Sequence, residues 1–312
     1  MSAKLFIIEE QYFSKEIVDV EIVKAAFIEK YGNKHVLHHF QSAALAIALR
    51  PLKYGPFCEN EIQNIFDSIS SSYAEEVTKN PVQNYMRQRT SSVLMKYVRS
   101  GDSVLDLGSG PMLETLEVPF DIELTAADIS GGMLYEAEKR ARNRGRFNVA
   151  YVKTDMHLAG NFSQYDIIFT TFGLLELLSP KTIAEFASKH LKGRRILILS
   201  FWNKFGLMDN ILSVATGRGL KYFKQKLTGK VYPGRSRFPV EVLSASMSEI
   251  SKALPADPVE KEGICLVVPP YCYTNLIGKF RFDGLLTAVD SAASKLPGAW
   301  LLCDYVVAVF RL

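Results

Sequence analysis

The feature that most constrains this chain is an alternation. From residue 103 onward, short apolar runs (SVLDLG, DIELTAAD, NVAYVKTD, YDIIFTTF and RRILILSFW) are separated by stretches with helical spacing, GGMLYEAEKRARNRG and SPKTIAEFASKHLKG. Runs this short and this apolar suit strands covered on both faces, and the covering has to come from helices. The pattern predicts an α/β fold: a seven-stranded, mostly parallel, doubly wound sheet. Two later runs, GICLVVPP and DYVVAVFRL, predict an antiparallel pair at its edge.

Ahead of the sheet, EIVDVEIVKAAFIEKYG places Ile17, Val20, Val23, Ala26 and Phe27 on one helical face, and QSAALAIALR predicts a second helix ended by Pro51. Residues 1–60 are therefore expected to be a helical N-terminal extension and part of a substrate cap. Residues 61–312 are expected to form the main domain, with cap insertions near 202–238 and 271–297. Residues 61–99 read as helical, broken near KNPVQ. A composition of 48% hydrophobic and 22% charged residues is that of a globular protein. No apolar run has the length of a membrane span, so no stable membrane insertion is expected. The N-terminus does not read as a secretory signal, and the four scattered cysteines lack metal-ligand spacing. Both point to a cytoplasmic setting. His35 and His39 stand four apart without a third ligand, so no metal is expected.

Ligands in such sheets bind beyond the carboxyl ends of the strands, near the first one. There the sequence reads VLDLGSGPMLE. Gly108 and Gly110 fit the first two glycines of a dinucleotide fingerprint, but position 113 is leucine, and no Gly-Lys-Ser/Thr follows as a phosphate loop requires. Pro111 suits the start of a short helix ending before Pro119. Asp128 ends the second strand, where an acid can take both hydroxyls of a ribose. Asp155 ends the third, placed to accept from an adenine amino group.

These residues together resemble the class I S-adenosylmethionine-dependent methyltransferases of the small-molecule type, over about residues 61 to 312. VLDLGSG looks like the family's glycine motif and ADISGGMLYEAEKRA like its acidic-loop motif. VKTDM and YDIIFTTFGLLELL are similar to the third and fourth. The resemblance implies S-adenosyl-L-methionine as cofactor. It implies that Gly108, Ser109 and Gly110 let the backbone approach the methionine part, with Asp106 at the floor. It places Asp128 on the ribose, Ile129 and Met133 beside the adenine, and Asp155 and Met156 at the adenine edge. Thr170, Thr171 and Phe172 offer backbone groups to the methionine amine. IFDSISSSYAEEVTKNPVQNYMRQR is similar to the family's leader helix, which puts Tyr73 and Arg87 over the cofactor, with Arg87 facing its carboxylate. Met112 departs from the family's preference for a small residue there.

The cofactor carries the hard chemistry, so no sharp catalytic motif is required, and none is present. Glu176, His157 and Tyr271 are weak catalytic candidates near the expected mouth. VPPYCY (268–273) lacks the Asn of the amino-group methyltransferase motif and follows the wrong strand. The segment 202–238 carries seven Lys/Arg between residues 218 and 237, with aromatics among them, and no acid from 210 to 240. It predicts a lid for an anionic or amphiphilic small-molecule acceptor. The sequence leaves a nucleic-acid methyltransferase and a non-catalytic cofactor-binding protein open as alternatives. The formal net charge of +4 tolerates anionic partners without demanding nucleic acid, and no appended RNA-binding module is apparent, so nucleic acid is the less expected partner.

Overall fold

The computed structural model describes residues 59–155, 157–158, 160, 162–172, 178–215, 230–231, 242–270 and 284–312. The helices expected within 1–58, including His35 and His39, lie outside the described residues.

The chain opens with two helices, α1 (Glu59–Lys79) and α2 (Pro81–Tyr97). Asn80 separates them, and its side chain accepts from the backbone N–H groups of Val82 and Gln83, capping α2 as Pro81 begins it. The alternation then unfolds as expected: β1 (Ser103–Leu107), β2 (Glu123–Asp128), α3 (Gly131–Asn143), β3 (Val149–Lys153), β4 (Tyr165–Thr170), α4 (Pro180–His190) and β5 (Leu191–Asn203). Beyond it come α5 (Leu207–Ala215), β6 (Lys230–Val231), β7 (Val242–Ala245), α6 (Met247–Ala253), β8 (Pro258–Ile264), α7 (Gly284–Ala293), a 3-10 turn (Ala299–Leu301) and β9 (Tyr305–Arg311).

The main sheet runs β3-β2-β1-β4-β5-β9-β8. Strands β1 to β5 are parallel. β9 is antiparallel to both β5 and β8 and lies between them. The short β7 joins the end of β5 in parallel at Trp202 and Asn203, and β6 pairs with β7. Seven strands thus form the main path, and two short ones are added at the carboxyl end of β5. Two details differ from the sequence reading. β8 ends at Ile264, where the run GICLVVPP begins, because the alternating PVEKEGI supplies the strand and Cys265 turns into positive φ (63°). The helix expected after the glycine turn is absent: residues 111–117 form successive turns, because Met112 takes a left-handed conformation (φ 57°).

Successive β1 side chains go to opposite layers. Val104 packs with α2 and α3, whereas Leu105 and Leu107 pack with α4 and α6. α1 packs on α3. This brings the leader helices onto the face where β1 and β2 end.

Candidate functional site

At the end of β1 the backbone turns through Gly108 (φ 75°) and Gly110 (φ 50°), values that cost a glycine nothing. The N–H groups of Gly108 and Ser109 both donate to the carbonyl of Ala127, at 2.8 and 3.0 Å, tying the turn to β2. A Cβ built on Gly110 meets nothing within 4 Å. The turn therefore presents bare backbone to open space, which is what a ligand held against main chain requires.

Asp128 is buried at the end of β2. One carboxylate oxygen accepts from the Gly110 N–H (2.8 Å) and the other from the Ser130 N–H (2.9 Å). A carboxylate has about four lone-pair sites, so with the Ile129 N–H also bonded to it the group keeps acceptor capacity for a ribose hydroxyl. Burial pushes the Asp128 pKa up to about 6, against the pull of those backbone N–H groups. Thr154 N–H donates to the Asp128 carbonyl, which sets the neighbouring β3 exit. There, Asp155 accepts from the backbone N–H of His157 at 2.8 Å. His157 is exposed, and Ile129 is half-buried beside Asp128. Met133 is buried in the first turn of α3, its N–H donated to the N-cap Ser130.

Asp106 lies beneath the turn, buried, with Thr115 Oγ1 donating to it at 2.5 Å. Burial raises its pKa to about 8. The Thr115 bond opposes the shift, and the nearby negative charges of Glu114 and Asp128 add to it. The carboxyl is thus poised around neutrality at the floor of the cleft.

Arg87 and Tyr73 come together as expected: the Arg87 guanidinium donates to the Tyr73 hydroxyl at 3.2 Å. It also forms a buried ion pair with Glu114, in the turns after the glycine motif, and lies 4.4 Å from the Phe172 ring centroid. The sequence reading did not include Glu114 as the partner of Arg87. Ser91 donates to the Glu114 carbonyl, so α2 is fastened to this turn twice. Phe172 (φ 53°) stacks on Tyr305 with ring centroids 4.7 Å apart, and its N–H is committed to Tyr305 and Ser200 at 3.0 and 3.3 Å. Thr170 and Thr171 are buried at the end of β4.

Asp67 also went unread. From α1 it accepts from Ser130 Oγ (2.6 Å) and Gly132 N–H (2.9 Å), clamping the leader helix to the start of α3. Burial pushes its pKa up, but these bonds, that from Gln63 and the charge of Lys153 outweigh it and hold the carboxyl below its usual range. No local motif marks Asp67, Glu114 or Tyr305; each acts across a gap that folding closes. Met156, Glu176 and Tyr271 lie outside the described residues, as does most of the basic run.

One family model, described as the ubiE/COQ5 methyltransferase family, matches residues 56–203, the stretch that contains the glycine turn, Asp128, Asp155 and the leader helices. That match identifies this stretch as the core of an S-adenosylmethionine-dependent methyltransferase. Solved structures share the fold of this methyltransferase. The [4+2]-cyclase SpnF superposes with a TM-score of 0.54 at 15% identity, covering 82% of this chain and 97% of that one. Magnesium protoporphyrin IX methyltransferase (ChlM) from Synechocystis PCC 6803, with SAH bound, superposes with a TM-score of 0.50 at 18% identity, covering 65% and 91%. No curated protein matches the sequence. The cofactor of the methyltransferase is S-adenosyl-L-methionine, and the open glycine turn and the spare acceptor capacity of Asp128 fit it.

Proposed function

We propose that this methyltransferase transfers the methyl group to an oxygen or nitrogen of a small molecule. The observation that carries this is the open glycine turn beside the buried Asp128 carboxylate, a site that fits a sulfonium methyl donor whose chemistry needs little more than positioning of the acceptor. A phenol, carboxylate or amine needs only to be held in line with the methyl. Such positioning is worth about 7–11 kcal/mol.

In this reading Gly108, Ser109 and Gly110 hold the methionine part of the cofactor against main chain. Asp128 holds the ribose, Ile129 and Met133 line the adenine, and Asp155 and Met156 read its edge. Tyr73 and Arg87 close the cleft from the leader-helix side, Thr171 and Phe172 from the end of β4, and Asp106 sets the charge at its floor. Because Glu114 neutralises Arg87, that arginine positions α2 and presents donors rather than a free positive charge. Bound S-adenosylmethionine supplies an electrophilic methyl on a sulfonium. Residues 1–60 and the insertions near 202–238 and 271–297 serve as the acceptor cap, with Glu176, His157 and Tyr271 as candidates for proton removal. The [4+2]-cyclase SpnF shares this fold, so the reaction has to be read from the product and not from the fold.

The test is an acceptor screen with methyl-labelled S-adenosylmethionine, read by mass spectrometry. A labelled small-molecule product with the label on oxygen or nitrogen supports the reading. Label transferred only to RNA overturns it in favour of a nucleic-acid enzyme. Cofactor binding without transfer to any acceptor overturns it in favour of a binding protein.

A further inference from the structure

Just past the carboxyl end of β4 the backbone is held in a conformation it does not take unaided. Phe172 has φ 53°, in the left-handed region where a residue with a Cβ stays only if its surroundings fix it. What fixes it comes largely from the far end of the chain. The Phe172 N–H donates to the Tyr305 hydroxyl at 3.0 Å and to Ser200 Oγ at 3.3 Å, and the two hydroxyls are bonded to each other. The Phe172 and Tyr305 rings stack with centroids 4.7 Å apart and planes within 13°, and the Arg87 guanidinium lies over the Phe172 ring at 4.4 Å.

Tyr305 is a rigid anchor for this contact. It is fully buried, and it opens β9 between Trp202 of β5 on one side and Ile264 of β8 on the other. The Trp202 ring meets it edge-on at 4.8 Å. The residue before it is pinned as well: the Asp304 N–H donates to the Cys265 carbonyl, and the Asp304 carbonyl accepts from the Asn203 N–H. A hydroxyl carried on such a strand is held in one place. Phenylalanine would fill the same space without desolvating a polar atom, so what the hydroxyl adds lies in its bonds.

The consequence falls on the other end of the same peptide. A trans peptide points its C=O opposite to its N–H, and no cis bond occurs among the described residues. Ser200 on β5 and Tyr305 on β9 lie to one side of β4, and β1 lies to the other. The Phe172 N–H is drawn toward β5, so the Thr171 carbonyl is turned toward the side where β1 ends in the glycine turn. Released from its two hydroxyls, Phe172 can relax to negative φ, and that carbonyl rotates with the peptide. A carbonyl only accepts. The group of S-adenosylmethionine that suits it is the ammonium of the methionine part.

We infer that Tyr305, seconded by Ser200, is a positioning residue for the cofactor: it sets the Thr171 carbonyl to accept from the ammonium group of S-adenosylmethionine. Tyr305 itself touches neither the cofactor nor the acceptor. The inference rests on the reading that the glycine turn holds the methionine part.

The experiment is titration calorimetry of the full chain with two ligands. One is S-adenosylhomocysteine. The other is its desamino analogue, which keeps the adenosine, the thioether and the carboxylate and lacks only the ammonium group. The wild type binds the first more tightly. Tyr305→Phe keeps the ring and its stacking and removes one oxygen. It loses about tenfold in affinity for S-adenosylhomocysteine, the size of one hydrogen bond to a charged group, and nothing for the analogue. Ser200→Ala leaves the shorter bond in place, so it loses less, with the same selectivity. The inference alone is overturned if Tyr305→Phe binds both ligands as the wild type does, if it weakens both equally, as a merely structural role requires, or if the wild type binds the two ligands alike. If Tyr305→Phe does not fold, Ser200→Ala decides: a loss confined to S-adenosylhomocysteine supports the inference, and any other result overturns it. A wild type that binds neither ligand overturns the placing of the cofactor at the glycine turn, and this inference falls with it.

Discussion

On the side of the sheet from β3 to β4, buried acids lie near one another, and each is bonded: Asp106 to Thr115, Asp128 to backbone N–H groups, Glu114 to Arg87. On the side from β5 to β8, buried acids point away from the surface, and two helices turn apolar side chains outward. The first arrangement suits a ligand of fixed shape and charge, because desolvated polar groups are stabilising only when every partner sits in place. In the second the acids serve the fold itself: Asp290 accepts from the Tyr85 hydroxyl and three backbone N–H groups and so fixes α7 in rotation. Buried acids thus shape the cofactor site on one side and hold helices in place on the other.

Disrupting the cofactor side should produce the largest effects. Arg87→Met leaves Glu114 buried and unpaired, a loss of about 3–5 kcal/mol that lowers the melting temperature by roughly 10 °C. Adding Glu114→Gln recovers most of it. A single variant that melts like the wild type in calorimetry would show that the pair does not hold α2 in place.

Asp128→Ala comes next. A hydrogen bond from a ligand to a charged group contributes about 1.5–3 kcal/mol, so titration calorimetry should find cofactor binding weaker by at least about tenfold. The change also orphans the Gly110 and Ser130 N–H groups, so the apo protein loses stability as well.

The acids also set a pH dependence with two opposite signs. Ribose hydroxyls favour ionised Asp128, whose folded pKa is about 6. Cofactor affinity should fall as pH drops below that value, by up to about tenfold per unit, and Asp128→Asn should flatten the profile. Stability of the cofactor-free protein runs the other way. Asp106 has a folded pKa of about 8, above its unfolded value of 3.8. Its contribution is fully present below the unfolded value and is lost as pH rises toward 8. Asp106→Asn should remove that slope, so the variant gains in melting temperature relative to the wild type between pH 4 and pH 8. Parallel melting curves for the two proteins would disprove the burial account of Asp106.

The smallest effect belongs to the acceptor side. Replacing Lys221, Lys224 and Lys226 by Gln should raise the acceptor KM by about threefold at low salt and leave kcat nearly unchanged, as expected for charges that act only in capture. Cofactor affinity should not move. A change in cofactor affinity would erase the division between the two halves. An unchanged KM would make the basic run a plain solvated face.

The sequence by itself determined the parallel strands around the cofactor, the glycine turn and the acids at the ends of β2 and β3. These are encoded within a few residues of one another: an apolar run sets a strand, a glycine permits the turn, and an acid at the next strand end meets it. Only the tertiary structure decided what those residues touch. Arg87 belongs to Glu114, Ser130 and Gly132 belong to Asp67, and Phe172 belongs to Tyr305, partners between 27 and 133 residues apart. It also decided that Asp209 and Asp290 turn inward. A helical pattern states which residues share a face, but which face is buried depends on the hydrogen-bond donors waiting in the rest of the fold, and Asp290 found four.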